Sequence, residues 1–195
     1  MLSKVLKNES LFWALYKIDL ATAELYRQKK CPHCQGPLHY ANYFRKPRGE
    51  PDGVSEKYFL QFSLCCGKEG CRRRLIPPTC RFLGRKVYWY AAILTIVSDW
   101  QSKVQDMTIS KLAGKVGISR NTLKRWIHFF KNIFPVSVQW KKIRGCVSAI
   151  VKNDHLPGSL INSYLKQQSN IEKALISCLK FLSQCNEISQ KIRSG

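Results

Sequence analysis

Acid is scarce in this sequence. Asp and Glu number 12 against 33 Lys and Arg in 195 residues, a formal net charge of +21. That excess lies far above the roughly 2–8 charges that keep a small domain soluble, so it calls for an acidic partner, of which nucleic acid is the commonest. No acid stands between Asp106 and Asp154, an interval that holds ten Lys or Arg residues. Two-metal phosphoryl transfer needs convergent carboxylates, and the four histidines (His33, His39, His128 and His155) make no paired metal motif. No enzyme is expected. Long apolar runs are missing as well. The longest, Val87 to Val97, is eleven residues, against the roughly 20 that cross a bilayer. The N-terminus mixes Lys4, Lys7 and Glu9 into its apolar residues, unlike a secretory signal, and no basic amphipathic helix of the membrane-surface kind is evident. The expectation is a cytoplasmic, nucleoid-associated protein with no membrane partner. Its 45% hydrophobic content excludes wholesale disorder, and its length fits one or two small domains.

Cysteine, by contrast, is plentiful, with nine residues. Cytosolic thiols stay reduced, so clustered cysteines read as metal ligands rather than disulfides. Cys31-Pro32-His33-Cys34 has the spacing of a tight knuckle, and Cys66-Gly67-Lys68-Glu69-Gly70-Cys71 makes a second one with glycines for its turn. Four soft thiolates suit one tetrahedral, structural Zn²⁺ bound by Cys31, Cys34, Cys66 and Cys71. Cys65 is the competing ligand. Adjacent strand residues point to opposite faces, so only one of Cys65 and Cys66 can aim at the ion, and Cys66 gives the better knuckle. Cys80, beyond Pro77-Pro78, reads as a buried thiol.

The pattern along the chain predicts an α+β fold, mainly α-helical, with a small β zinc ribbon inserted after the N-terminal helix, then a helix-turn-helix and C-terminal helices. The segments are an N-terminal helix (1–28), the zinc ribbon (29–84), a helical helix-turn-helix domain (85–135) and a C-terminal helical region (136–195). In the first, Asn8 or Ser10 can cap a helix over 8–28 whose apolar residues Leu11, Leu15, Ile18, Ala21 and Leu25 recur at helical spacing. Residues 37–44 and 58–64 read as two strands around a turn-rich basic loop, 45–53. Helices are expected over 85–103, 109–116, 120–132 (ended by Pro135), 138–151, 158–168 and 170–192. On the last, Ile171, Ala174, Cys178, Phe181, Cys185, Ile188 and Ile192 form an apolar stripe that serves core packing or, alternatively, a homodimer or partner seam.

Residues 109–128 carry the second motif. Leu112, Val116, Ile118, Leu123 and Trp126 can bury against one another, Ala113 is small where two helices approach, and Gly117 suits a left-handed turn. Ser119 follows as an N-cap. The outward positions of the second helix are Arg120, Asn121, Lys124, Arg125 and His128, with no acid among them. Ser119 and Thr122 read as cap and phosphate contacts. The segment resembles the helix-turn-helix family, which implies that its outward positions face the major groove. There Arg can pair with guanine O6/N7 and Asn with adenine N6/N7. Arg72, Arg73 and Arg74 after the second knuckle, and Lys141, Lys142 and Arg144 after the helix pair, are candidate phosphate contacts.

Taken together, Cys-Pro-x-Cys, the basic hairpin, Cys65 through Arg74 and the helix-turn-helix resemble the DNA-binding front of bacterial insertion-sequence transposases. The stretch from Cys31 to Tyr88, with Phe82-Leu83-Gly84-Arg85-Lys86-Val87-Tyr88, is similar to small proteins carried by bacterial mobile elements. Such transposases continue into a carboxylate-bearing catalytic domain that this sequence does not carry. The resemblance therefore implies an accessory or regulatory duplex-DNA binder, acting in transposition, recombination or transcription control, with a recombinase or transposase as a candidate partner. Two other readings compete. One is an RNA-binding module that stacks bases on Tyr40, Tyr43, Phe44, Tyr58, Phe59 and Phe62. The other is an adaptor that recruits a recombinase through the C-terminal helices.

Overall fold

A computed structural model describes residues 2–45, 47–49, 53–83, 88–102, 108–168 and 170–192, with side chains at all of these except residue 3 and residues 185–192. The expected motif residues Gly84, Arg85, Lys86 and Val87, the boundary acid Asp106, and the side chains of Cys185, Ile188 and Ile192 lie outside this description. The chain is mixed α+β, mainly helical with small antiparallel sheets.

A 3-10 turn over Leu2–Lys7 leads into α1, Glu9–Gln28. Asn8 caps it, its side chain accepting from Ser10 N at 3.1 Å. The buried stripe of α1 is Leu11, Phe12, Leu15, Asp19 and Ala23. The expected stripe is thus rotated: Leu25 is 61% exposed, because Asp19, a residue that periodicity assigns to water, faces inward instead.

Each expected strand of the hairpin is broken in two. The pieces are β1 (Leu38–Tyr40), β2 (Tyr43–Phe44), β3 (Leu60–Gln61) and β4 (Leu64–Cys66), while Glu56–Phe59 is a 3-10 turn. β1 pairs with β4, and β2 with β3, both antiparallel. At the break, Ala41 N donates to Ser63 O at 2.8 Å and Asn42 Oδ1 accepts from Ser63 N at 3.0 Å. The two halves of the hairpin therefore stay tied across the kink. β5 (Arg74–Leu75) adds a third strand beside β4, in the order β1-β4-β5. A second hairpin, β6 (Phe82–Leu83) with β7 (Tyr88–Trp89), takes residues at the start of the expected 85–103 helix. Helix α2 begins only at Tyr90, whose N–H donates to Arg81 O at 2.8 Å, and runs to Gln101.

Every residue of α2 from Tyr90 to Asp99 is buried. A helix buried on every side is central, and α2 is, with Thr95, Ser98 and Asp99 enclosed among its apolar residues. The remaining helices are α3 (Ile109–Gly114), α4 (Arg120–His128), α5 (Val138–Ile143), α6 (Gly158–Gln167) and α7 (Ile171–Ile192). One apolar cluster joins α1, α2, α3, α4, α5, α6 and α7. On α7, Ala174, Leu175, Cys178, Leu179 and Leu182 belong to the interior, while Ile171 is exposed and Phe181 half-buried. A separate small cluster holds Cys31, Leu38, Leu64 and Cys66.

Candidate metal centre and nucleic-acid interface

The sulfurs of Cys31, Cys34, Cys66 and Cys71 all lie within 4.8 Å of one another. Cys31 and Cys71 are 4.0 Å apart and Cys34 and Cys66 3.4 Å apart. A tetrahedral ion with metal–sulfur bonds of about 2.3 Å needs sulfurs about 3.8 Å apart, which falls inside this range. The first knuckle is closed by Cys31 N donating to Gly36 O at 2.9 Å and Gln35 N donating to Cys31 O at 2.9 Å. The second is closed by Cys71 N donating to Lys68 O at 3.2 Å, and Gly67 N donates to Pro37 O at 2.9 Å to dock one knuckle on the other. Gly36 cannot carry a side chain here, since a Cβ would stand 3.0 Å from the Cys66 sulfur and 3.3 Å from that of Cys34.

The pleat decides between the adjacent cysteines. Cys66 sits opposite Leu38, on the face that turns inward, whereas Cys65 sits opposite His39 and Arg74. The Cys65 thiol instead points at backbone oxygens, 3.4 Å from Arg72 O. Burial pushes the Cys31 thiol up, but the backbone N–H groups of His33 and Cys34 and the neighbouring sulfurs outweigh it and bring it to about 7. Burial holds Cys66 above the usual thiol range. For Cys71, the lowering by Arg73 N–H is outweighed by the Cys34 sulfur and by burial. Four sulfurs crowded together cannot all ionise alone, and a cation bound among them would supply the compensating charge. The set could hold a metal ion. His33 is not in the cluster: its Nδ1 lies 2.8 Å from Arg73 Nη1 instead. Cys80 stands apart, buried, donating to Ser183 Oγ at 3.5 Å. Burial foremost, with the Asp19 charge, pushes its thiol up to about 12.

The helix pair presents the second candidate surface. Thr108 caps α3 by accepting from Lys111 N at 3.2 Å, and Ser119 caps α4 by accepting from Thr122 N at 3.2 Å. Between them Gly117 has φ +57°. Leu112, Ala113, Val116, Leu123 and Trp126 are buried, whereas Arg120, Asn121, Lys124, Arg125 and His128 are all exposed. Thr122 faces inward, its hydroxyl 3.0 Å from Ser119 Oγ and accepting from Arg125 Nη2 at 3.2 Å. Arg125 also donates to Asn121 O at 3.3 Å, so it lies along its own helix. His128 Nδ1 is 2.9 Å from Asn132 Nδ2.

The flanking cations divide. Arg72, Arg73, Arg74, Lys141 and Lys142 are exposed. Arg144 donates to Val151 O at 2.7 Å and to Val147 O and Ser148 O at 3.4 Å, so it closes its own loop. The hairpin aromatics divide too. Tyr58 and Phe62 are buried, while Tyr40 and Phe44 are exposed. Periodicity missed one buried polar network, Asp19 with Arg81. No local signal marks it, because its partners are far apart in sequence. Among the described residues no helix is long and apolar enough to cross a membrane. Comparison with protein-family models, curated proteins and solved structures finds no match.

Proposed function

We propose that the chain is a zinc-containing, sequence-specific duplex-DNA-binding protein without enzymatic activity. In this reading the four-cysteine module is a zinc ribbon, α3 and α4 are a helix-turn-helix, and α4 enters the major groove. One observation carries it: α4 is a capped helix with Leu123 and Trp126 buried on one side and five polar or basic side chains exposed on the other. These sit within an interval that carries no acid from residue 107 to residue 153. Arg120, Asn121, Lys124 and Arg125 reach base edges, while Ser119 and Thr122 serve the helix itself. In this reading the chain serves an accessory or regulatory role at a bacterial mobile element. Selection of bound sites from a random duplex library, alongside affinities for single strands and RNA at one salt concentration, tests this. A preference for RNA over every duplex overturns it in favour of base stacking on Phe44 and Tyr40.

Specificity is expected to reside in α4. Arg120→Ala and Asn121→Ala should each relax the selected site at particular base pairs, by about 1–3 kcal/mol of discrimination. Neither side chain is buried, so thermal stability and metal content should stay as in the wild type. Wild-type site profiles from the Arg120, Asn121 and Arg125 alanine variants would show that another element reads the bases.

Affinity should depend steeply on salt, log K falling by about 0.9 per neutralised phosphate for each unit of log salt. Alanine at Lys141 and Lys142 should weaken all duplexes alike and flatten that slope. Arg144→Ala, which removes a loop closure, should instead lower thermal stability with a smaller change in slope. Binding that ignores salt would exclude phosphate as the main partner.

A further inference from the structure

The four-cysteine module and the helix pair are connected by a basic segment whose course is fixed by three sets of contacts. Tyr43 on β2 carries the guanidinium of Arg74, from β5, over its ring at 5.3 Å and that of Arg45 at 5.6 Å. Arg45 Nη2 also donates to the Tyr43 hydroxyl at 3.0 Å. Arg48 next forms a parallel bridge with Tyr88, and Trp89 N donates to Arg48 O at 3.4 Å. Gly49 then rests on the helix pair. Its φ is +71°, and a Cβ there would lie 3.2 Å from Trp126 Cη2 and 3.4 Å from Ile118 Cγ2. The chain therefore touches both the inner side of α4 and the turn before it.

From Tyr43 to Gly49 the chain spans at most about 20 Å, comparable with the helix-axis rise of about six phosphates of one DNA strand. Arg48 and Arg74 are exposed along this course. None of Arg45, Arg48 and Arg74 has a carboxylate partner among the described residues. Stacking on Tyr43 orders the exposed Arg74 guanidinium, so less side-chain freedom is lost when it meets a phosphate, while Arg45, with Nε and Nη1 buried, holds the Tyr43 ring in place.

We infer that Arg74 and Arg48 form one cationic rail that lies along the phosphate backbone of the same duplex that α4 enters. The proposal rests on the reading of α4 given above and extends it. The four-cysteine module then lengthens the footprint of the helix pair and sets its direction on the DNA, without reading bases itself.

The test uses full-length protein and a long duplex carrying the selected site. Arg48→Ala combined with Arg74→Ala should lower the salt slope by about 1.8 and shorten the hydroxyl-radical footprint on one side, with the selected bases unchanged. Gly49→Val keeps every charge but pushes the segment off Trp126. It should shorten the footprint in the same way, with folding checked by circular dichroism. Lys57→Ala with Arg27→Ala removes the same charge from cations already paired with Glu9 and Glu24 and should leave the footprint intact. An unchanged slope and footprint in the Arg48/Arg74 variant overturns the rail, as does an equal loss in the Lys57/Arg27 variant. A wild-type protein that selects no duplex overturns the reading of α4 itself. Site selection through α4 with a salt slope and footprint that do not change in the Arg48/Arg74 variant overturns the rail alone.

Discussion

Cys34→Ser is expected to strip the metal from the chain and unfold the four-cysteine module, while α2 and the helices around it stay folded. Freshly purified wild-type protein should carry one zinc per chain by elemental analysis. Apparent binding energies of structural zinc are on the order of 10–16 kcal/mol, and this module has little else to hold it. Its own apolar cluster consists of Cys31, Leu38, Leu64 and Cys66. Two of those four side chains are sulfurs of the candidate site, so without a metal only two leucines remain as fully buried apolar groups. A core of that size cannot offset the chain entropy of the segment. The large cluster built on α2 contains none of the four ligands, which is why the loss should be local. Hydrogen exchange resolves the two regions: residues 31–40 and 64–75 should lose protection in Cys34→Ser, and residues 90–99 should keep it. Cys65→Ser should retain the metal, because that thiol faces away from the other sulfurs. Folded protein free of zinc, or loss of metal in Cys65→Ser with retention in Cys66→Ser, would refute this assignment.

Both candidate sites were legible in the residues for the same reason: their determinants are short-range. Two cysteines in a knuckle, a glycine at a left-handed turn and a serine one residue before a helix act within a few positions. The structure accordingly has the four sulfurs together, Gly117 at φ +57° and Ser119 accepting from Thr122 N. The pleat allows only one of Cys65 and Cys66 to face the other sulfurs, and the shorter knuckle with internal glycines selects Cys66. What was illegible depends on distant partners. Tyr88 and Trp89 look like the start of an apolar helix until Phe82 and Leu83 are seen to pair with them. The kinks that divide the first hairpin depend on Asn42 meeting Ser63. Arg144 looks like any surface cation of a basic segment, and only the fold of residues 147–151 engages it with backbone oxygens.

Asp19 is the extreme of this kind, and its removal should cost more than any surface change in the chain. Asp19 and Arg81 are both buried, with Arg81 Nε donating to Asp19 Oδ2 at 2.7 Å. The carboxylate also accepts from Cys80 N at 2.6 Å and from the Thr79 hydroxyl. Arg81 spends its remaining donors on Tyr58 O at 2.7 Å and Leu60 O at 2.8 Å. Its guanidinium lies 4.9 Å from the ring centre of Tyr16 and 5.1 Å from those of Phe62 and Phe82. The pair thus ties α1 to the two chain segments that enter and leave the four-cysteine module. Breaking a buried pair by deleting one partner leaves an uncompensated charge and costs about 3–5 kcal/mol, a large part of the roughly 5–15 kcal/mol that holds a domain together. Asp19→Ala should lower the urea midpoint accordingly, and Arg81→Met should do the same while also leaving Tyr58 O and Leu60 O unpaired. Combining Asp19→Leu with Arg81→Met removes both charges and should recover part of the loss, the coupling expected of residues in direct contact. Zinc content separates this effect from that of Cys34→Ser. The sulfur cluster lies in the other apolar cluster, so Asp19→Ala should keep its metal while the global unfolding midpoint falls. A loss below about 1 kcal/mol in Asp19→Ala, the scale of an exposed ion pair, would mean that the pair is not what fixes the module to α1.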